Sequence, residues 1–514
     1  MKKRYRGLFI VLFLMTCSCG ISSRNLLSKD IVVLVTNKSL SQQITQIKTT
    51  YIIDADFDIK GASIKLPEAC TLVFRGGSIT NGTLQGDETT IVLRQETPAF
   101  NDVLLSGSFV ARKFPINAYS TNKLDYFNSF LQAFSGVELY LTADYSATEY
   151  LGQSDGAAPQ MLYIDGKGHK LTLYSFGAYK VGDCTIKNII IEATNNITPK
   201  NKWKSDKFNF GVVGSFDSST FLLDNVTFTK ETNFAYFRGF KNLEIKNCKE
   251  DGSYFFVYDC NNVSFHNNEI VNAVNGYYSI GRMTEAGQVK LYDNVFRNIS
   301  GGGAILSGGL KYNVSICNNV FERVGGGGAM KSCINIHPRG TIVVNNNRIV
   351  ANEGASSLDI DAARVNYYDD ATTVIVKNNV IERAEGGGSL NGMALVGLAK
   401  LYFRNNKITN QRFSFWDTPY MEFTGNTVTF TEGFDKNTDI GAMTTHETTA
   451  NKQYRHIYKK NVFVIPETKG SVRFKYQSKE PVQIVGKRNQ FSRPVEFIDQ
   501  NKKLEASGDI QIKK

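Results

Sequence analysis

One short phrase of sequence recurs through the middle of the chain and constrains its fold more than any other feature. The phrase alternates apolar and polar residues, reaches an Asn-Asn or Asp-Asn pair, and resumes with an apolar residue two positions later. Its clearest copies are Val263–Ile270, Val289–Phe296, Val314–Phe321, Ile342–Ile349, Val374–Ile381 and Leu401–Ile408. Counted on the second asparagine, the spacing runs from 20 residues (Asn406 to Asn426) to 32 residues (Asn347 to Asn379). A repeat of this length built from short alternating strands predicts a β-solenoid.

The asparagine pair has a physical role in such a solenoid. A sharp bend between two strands needs a residue at positive φ, and asparagine tolerates that conformation better than other non-glycine residues. Asparagine side chains stacked from coil to coil can also hydrogen-bond to one another in a ladder. We assign the positive φ of one corner to Asn347. We further predict one aligned row that contains Asn247, Asn268, Asn319, Asn347, Asn379 and Asn406.

The repeated phrase resembles the right-handed parallel β-helix of the pectin lyase-like superfamily. The resemblance implies an all-β fold, a single-stranded right-handed parallel β-helix with a short N-terminal capping helix. This fold hosts polysaccharide lyases, glycoside hydrolases, epimerases, phage tailspikes and surface adhesins, so an activity has to be argued from a site. The sequence lacks the motifs of polygalacturonases, pectate lyases and mannuronan epimerases, and no catalytic residue is carried over from them.

The N terminus has the pattern of an exported lipoprotein. A basic start, Met1–Arg6, precedes the apolar run Leu8–Met15, which is too short to span a bilayer. Leu14–Cys17 resembles a bacterial lipobox, which implies a signal peptide of residues 1–16 and lipidation of Cys17. Cys19 is the other candidate, and an ordinary cleaved signal is the alternative. The resemblance implies a protein of the cell envelope, attached through lipid to the outer or the cytoplasmic membrane.

The remaining chain is predicted to form one continuous solenoid. Residues 17–50 would be a tether and an N-terminal cap, in which Ser39–Gln42 forms a capping box for an amphipathic helix with Leu40, Ile44 and Ile47 on one face. Residues 51–207 are predicted to form N-terminal coils with an inserted helix over Leu124–Phe134. Residues 208–465 would be the main asparagine-ladder coils, and residues 466–514 the closing strands.

Charge and cysteine usage narrow the range of partners. Removal of four basic leader residues lowers the formal charge from +11 to +7, an excess that suits an acidic polysaccharide or an anionic surface. An exported chain without a basic recognition element predicts no nucleic-acid partner, and we expect a monomer. The other cysteines lack metal-ligand spacing, and free thiols that fill the stack are predicted, with a Cys248–Cys260 disulfide as the alternative. They are Cys70, Cys184, Cys248, Cys260, Cys317 and Cys333.

The candidate site lies in the strand that precedes the asparagine phrase, because this strand varies most between coils. Two adjacent copies, Lys331–Arg339 and Leu358–Asp361, carry clustered polar residues. Strand alternation predicts that Asn335 and His337 face outward in the first copy, as do Asp359 and Asp361 in the second. Equivalent isoleucines align the copies so that Asn335 lies beside Asp359 and His337 beside Asp361, about 4.8 Å apart between strands.

These residues suggest two chemistries. In a glycoside hydrolase, Asp359 and Asp361 would serve as acid and base, or as nucleophile, and His337 would tune a proton. In a lyase acting on a uronic acid polymer, Lys331 or His337 would take the α-proton. Arg339 or Arg364 would then neutralise the carboxylate of the sugar, and Ca²⁺ bound to the aspartates could assist. No other cofactor is expected.

Other interpretations stay open at this point. Asn335 is expected to contact substrate, and Trp416 to offer a flat surface for sugar stacking, although Trp416 could instead be a core aromatic. The polar residues of the two copies could equally be surface ion pairs. The alternative to a polysaccharide-cleaving enzyme is a non-catalytic glycan-binding or adhesin-type surface lipoprotein.

Overall fold

A computed structural model describes most of the chain beyond its N-terminal segment. The described residues are 30–121, 123–147, 161–173, 176–193, 208–214, 219–229, 232–280, 286–307, 311–326, 332–337, 339–352, 355–361, 372–383, 392–431, 439–444, 453–467 and 472–513. The predicted leader with Cys17 and Cys19 lies outside these residues, as do Lys331 and Arg364. Within the described part of the chain, no helix is long and apolar enough to cross a membrane.

The N-terminal coils form a sheet of eight strands that pair in parallel. Its strands are Ile31–Val33, Thr50–Ile53, Phe57–Asp58, Ser63–Lys65, Thr71–Phe74, Ile79–Leu93, Phe100–Val110 and Tyr119–Ser120. This sheet starts the solenoid. The strand Lys113–Pro115, which lies in sequence between its last two strands, pairs instead with Glu138–Tyr140 at the start of the main coils.

The main coils build three faces, here called sheets 1, 2 and 3 in the order in which the chain meets them. Every strand pair between successive coils is parallel, and a complete coil adds one strand to each face. Sheet 1 contains Lys113–Pro115, Glu138–Tyr140, Met161–Asp165, Asp183–Ala193, Thr220–Phe228, Asn242–Lys246, Asn262–His266, Ala286–Tyr292, Lys311–Cys317, Thr341–Asn345, Thr373–Lys377, Lys400–Arg404, Tyr420–Thr424, Tyr454–Lys459, Val482–Lys487 and Leu504–Ser507.

Sheet 2 follows the corner that closes each sheet 1 strand. It contains Tyr145–Ala147, Lys170–Leu173, the second halves of Asp183–Ala193 and Thr220–Phe228, and then Lys249–Asp251, Glu269–Val271, Val295–Ile299, Val320–Val324, Arg348–Ala351, Val380–Arg383, Lys407–Thr409, Thr427–Thr429, Val462–Val464 and Gln490–Phe491.

Sheet 3 completes each coil and has fourteen strands. They are Phe176–Val181, Phe208–Gly214, Thr232–Arg238, Phe255–Tyr258, Tyr277–Ile280, Ala304–Ser307, Ile334–Ile336, Leu358–Asp361, Met393–Val396, Phe413–Trp416, Asp439–Thr444, Val472–Gln477, Val495–Asp499 and Ile512–Lys513.

The corner between sheets 1 and 2 uses the asparagine pair as predicted, except that the positive φ belongs to the first residue of the pair and not to the second. The first residue of each pair has positive φ, between 55° and 58°, as at Asn247, Asn267, Asp293 and Asn346. The positive φ assigned to Asn347 was therefore wrong, and Asn346 carries it. The first residue turns the chain because its short polar side chain tolerates the left-handed conformation.

The second asparagine points into the solenoid and forms the ladder. The side-chain amide of each one donates to the side-chain oxygen of the next, at 2.9–3.1 Å. The ladder runs through Asn268, Asn294, Asn319, Asn347, Asn379, Asn406, Asn426, Asn461 and Asn489, and ends on Asp509. Asn247 was wrongly placed in this row. It occupies the outer position, and Cys248 takes the inner one, where its backbone N–H donates to Asn268.

The core inside the sheets is filled by stacked apolar side chains. Phe296 and Phe321, in adjacent coils, have ring centroids 4.8 Å apart and nearly parallel planes. The six cysteines in the described part of the chain are free, which confirms the prediction of free thiols over a Cys248–Cys260 disulfide. Five of them are buried, whereas Cys317 is partly exposed, since its sheet 1 position faces outward.

Among the residues that the structure describes, two α-helices and one 3-10 turn interrupt the strands. The capping box of Ser39 and Gln42 is present, but its α-helix spans only Leu40–Gln43; Leu40 and Ile44 are buried whereas Ile47 is exposed. The inserted helix, Leu124–Ala133, agrees with the sequence spacing, and Phe127, Leu131 and Phe134 are buried. The 3-10 turn is Ile116–Ala118.

Candidate functional site

Sheet 3 brings the predicted polar residues together. Ile334 and Ile336 pair with Leu358 and Ile360 in the neighbouring coil, and all four side chains are buried in the core. This register pairs Asn335 with Asp359 on the opposite, outward face. His337 directly follows this strand and Asp361 ends the neighbouring one, so the same register continued by one residue would set them side by side. We call Asn335, His337, Asp359 and Asp361 the polar cluster.

One contact links the two coils of the polar cluster directly. The side-chain amide of Asn335 donates a hydrogen bond to Asp359 Oδ2 at 3.2 Å. The contact arises because parallel strands in register hold equivalent outward side chains about 4.8 Å apart. It fixes the orientation of the Asp359 carboxylate, as a site residue requires.

The polar cluster is more buried than strand alternation suggests. Asn335 is 0% exposed, His337 6%, Asp359 7% and Asp361 9%. These side chains point away from the core and are still largely removed from water. Carboxylates lose much hydration when buried, so their retention calls for compensating contacts or a function.

The remaining predicted residues are distributed around the polar cluster. Arg339 is described and partly exposed, just beyond the sheet 3 strand that carries Asn335. Trp416 belongs to the outward row of Asp361, through the pairs Asp361 with Val396 and Val396 with Trp416. Two coils therefore separate Trp416 from Asp361, about 10 Å along the solenoid. Its side chain is 41% exposed, so Trp416 is not a core aromatic.

Sequence reasoning missed a row of rings on the same face. Tyr236, Phe256 and Tyr278 occupy paired outward positions in three successive coils. Ring centroids are 5.5 Å apart between Tyr236 and Phe256 and 5.0 Å apart between Phe256 and Tyr278, and both pairs are stacked. We call these three residues the aromatic row. The signal was an aromatic residue at the equivalent outward position of three consecutive sheet 3 strands.

The aromatic row is flanked by further rings and by one ion pair. Burial raises the pKa of the Tyr236 hydroxyl, an effect that the nearby Arg238 opposes. The guanidinium of Arg238 lies 4.8 Å from the ring centroid of Tyr258 and 3.5 Å from Asp259 Oδ2. All three residues of the row are partly exposed, so the rings offer a surface to a ligand.

Comparison with known proteins identifies the architecture. A family model described as a right handed beta helix region matches residues 256–428. The fold is a right-handed parallel β-helix. The matched coils contain the polar cluster and most of the aromatic row. No significant match to the chain was found among curated proteins or among solved structures.

The β-helix offers no metal centre in its described residues. No group of three or more His, Cys, Asp or Glu side chains there is arranged to hold a metal ion. Asp359 and Asp361 supply two carboxylates toward the six to eight oxygen ligands that calcium takes.

Proposed function

We propose that this β-helix protein binds a polysaccharide along the outward face of sheet 3 and cleaves it at the polar cluster. The observation that carries the proposal is the Asn335–Asp359 hydrogen bond between adjacent coils. It joins two short strands, the first of which is followed directly by His337 and the second of which ends at Asp361. All four residues are less than 10% exposed although directed away from the core. Oriented, desolvated carboxylates beside an imidazole are typical of acid–base sites.

The position of the two aspartates on one strand is compatible with glycoside hydrolysis. Asp359 and Asp361 are two residues apart on one strand, which separates their Cα atoms by about 6.5–7 Å. This Cα separation is compatible with either arrangement of carboxyl groups in glycosidases, about 5–5.5 Å apart in retaining enzymes and about 6.5–9.5 Å apart in inverting ones. Asp359 accepts an amide hydrogen bond that stabilises its carboxylate, which suits a base or nucleophile. Asp361 would then protonate the departing glycosidic oxygen, with His337 adjacent to exchange that proton.

Trp416 supports the presence of a sugar chain on the same face. An exposed indole is uncommon on a soluble protein surface unless a ligand or partner covers it. Its place in the outward row of Asp361 sets it two coils, about 10 Å along the axis, from that aspartate. A polysaccharide laid along the β-helix axis would meet both.

A panel of polysaccharides tests the proposal. The purified protein should release new reducing ends from at least one polymer, and Asp359→Asn and Asp361→Asn should each abolish that release. Asp251→Asn is the matched control, because Asp251 also accepts an interstrand asparagine hydrogen bond, from Asn272 at 2.9 Å, but on sheet 2. Equal activity of the Asp359→Asn, Asp361→Asn double variant and the unmodified protein would place the chemistry elsewhere.

The same panel separates the two alternatives. A lyase using Lys331 or His337 as base, with Arg339 or Arg364 on the sugar carboxylate, would release unsaturated products that absorb in the ultraviolet. Binding without cleavage, if it is lost in Trp416→Ala, would favour the adhesin-type function. The exposure of Trp416 is the observation that supports this alternative.

We also propose that the protein is a lipoprotein of the cell envelope. Support comes from the basic start, the short apolar run and the Leu14–Cys17 sequence. Cys17→Ala, or Cys19→Ala if the second site is used, should move the protein from the membrane fraction to the soluble fraction. Retention of the double variant in the membrane fraction would contradict lipid attachment.

A further inference from the structure

The aromatic row lies in line with the polar cluster on the face of sheet 3. Tyr278 pairs with Ile305, Ile305 with Asn335, and Asn335 with Asp359. Three coil steps therefore connect the last ring of the row to the carboxylate, about 14 Å along the axis. A ligand long enough to reach both would run parallel to the axis of the β-helix.

The spacing of the rings suits a repeating ligand. Tyr236, Phe256 and Tyr278 recur once per coil, at centroid distances of 5.5 and 5.0 Å. The stacked planes meet at 29° and 28°, and Phe256 has a ring on each side, so the row presents its ring edges as one continuous apolar strip. Pyranose sugars present apolar C–H faces of similar size, which pack against aromatic surface.

Charge on this strip is sparse and internally balanced. The four sheet 3 strands from Thr232–Arg238 to Ala304–Ser307 contain a single charged residue, Arg238. The positive charge of Arg238 is offset by Asp259, 3.5 Å away. The strip therefore lacks the excess cation that a polyuronic acid would need, although the net charge of the whole chain is positive.

From this geometry we infer that the aromatic row is a binding platform for the flat, uncharged pyranose rings of a neutral polysaccharide. The inference rests on the proposed function, since it assumes that the polysaccharide lies on sheet 3. It narrows the substrate class to neutral chains, in place of the acidic polymers that the net charge favours. It also assigns to the row a role in affinity that is separate from bond cleavage.

Calorimetric titration tests the platform without relying on activity. The probes are cello-, xylo- and manno-oligosaccharides and, in parallel, oligogalacturonides of matched length. At least one neutral series should bind, and Phe256→Ala should weaken that binding about tenfold through loss of the central ring. Phe256→Leu should weaken it similarly while keeping the melting temperature near that of the unmodified protein, because leucine preserves apolar area.

Tyr402 provides a matched control on another face. It is partly exposed on sheet 1, its ring is 5.8 Å from that of Tyr420, and Arg404 lies 4.5 Å from its centroid. Tyr402→Ala should leave the affinity for the neutral oligosaccharide unchanged. An equal loss in Tyr402→Ala and Phe256→Ala would overturn the inference, as would tighter binding of the oligogalacturonides.

The outcome separates this inference from the proposed function. If Asp361→Asn abolishes cleavage while Phe256→Ala and Phe256→Leu bind as the unmodified protein does, the platform is overturned and the catalytic proposal stands. If Phe256→Ala weakens binding but no polymer is cleaved, the platform is supported and the catalytic proposal fails.

Discussion

Replacing Asn347 with alanine should destabilise the protein far more than most single substitutions. Asn347 lies inside the solenoid, 2% exposed. Its side-chain oxygen accepts from the backbone N–H of Asn319 at 2.9 Å and from the Asn319 side-chain amide at 3.0 Å. Its own amide donates to the Ile316 carbonyl at 2.9 Å and to Asn379 at 3.0 Å.

The magnitude follows from these four contacts. Alanine leaves the backbone N–H of Asn319 buried without its acceptor, which costs about 1–3 kcal/mol. The Asn319 amide keeps two carbonyl partners, Leu291 and Cys317, so its loss is smaller. Adding about 1 kcal/mol for each of the two donated bonds gives a decrease of about 3–5 kcal/mol in the free energy of unfolding.

Urea unfolding and amide hydrogen exchange together measure this effect. The unfolding midpoint should fall, and the backbone N–H of Asn319 should lose its protection selectively, since solenoid coils depend on their nearest neighbours. Asn346→Gly is the control: Asn346 is adjacent in sequence, but glycine tolerates its positive φ. A loss below about 1 kcal/mol for Asn347→Ala would refute the ladder as a major source of stability.

Three further substitutions test other features of the fold. Asn346→Val should destabilise by about 1–2 kcal/mol relative to Asn346→Gly, because a β-branched residue is strained at φ 55°; equal urea midpoints would contradict this. Burial holds the pKa of Glu250 well above its usual 4.5, so stability should fall as pH rises above that value, by about 1.4 kcal/mol per unit up to the folded pKa. Glu250→Gln should remove this dependence and raise the melting temperature at about pH 8, and an unchanged pH profile would show that Glu250 is ionised in the fold. Burial lowers the pKa of His456 from 6.5 to about 4, so stability should fall by about 3 kcal/mol as pH drops between those values, and His456→Gln should flatten that acid limb of the melting curve.

The repeat predicted the architecture because one phrase encodes both strand alternation and the corner. It could not say which asparagine turns the chain, since Asn346 and Asn347 are chemically identical in sequence. Only the backbone distinguishes the residue at positive φ from the one whose amide enters the ladder. Asn247 was misplaced because its phrase carries a single asparagine, and the sequence does not show whether that residue takes the outer or the inner position.

The pairing of the candidate-site residues between strands could be predicted from the sequence, but their exposure to solvent could not. Equivalent isoleucines fix the alignment of two strands, so the Asn335–Asp359 contact could be derived from spacing alone. Alternation separates inward from outward side chains, but it does not show how much water an outward side chain meets. The burial of Asp361 and the exposure of Trp416 were therefore beyond the reach of the pattern. The residues of the aromatic row could be recognised in the sequence, but the candidate site was assigned from polar residues alone.

A crystal structure with a bound oligosaccharide tests the central claim most directly. The ligand would be the tightest binder from the titration panel, soaked into the Asp361→Asn variant to prevent turnover. We expect the sugar chain on sheet 3, parallel to the β-helix axis, in contact with Phe256 and directed toward the Asp359 carboxylate. An oligosaccharide bound to sheet 1 or sheet 2, with sheet 3 empty, would contradict the account.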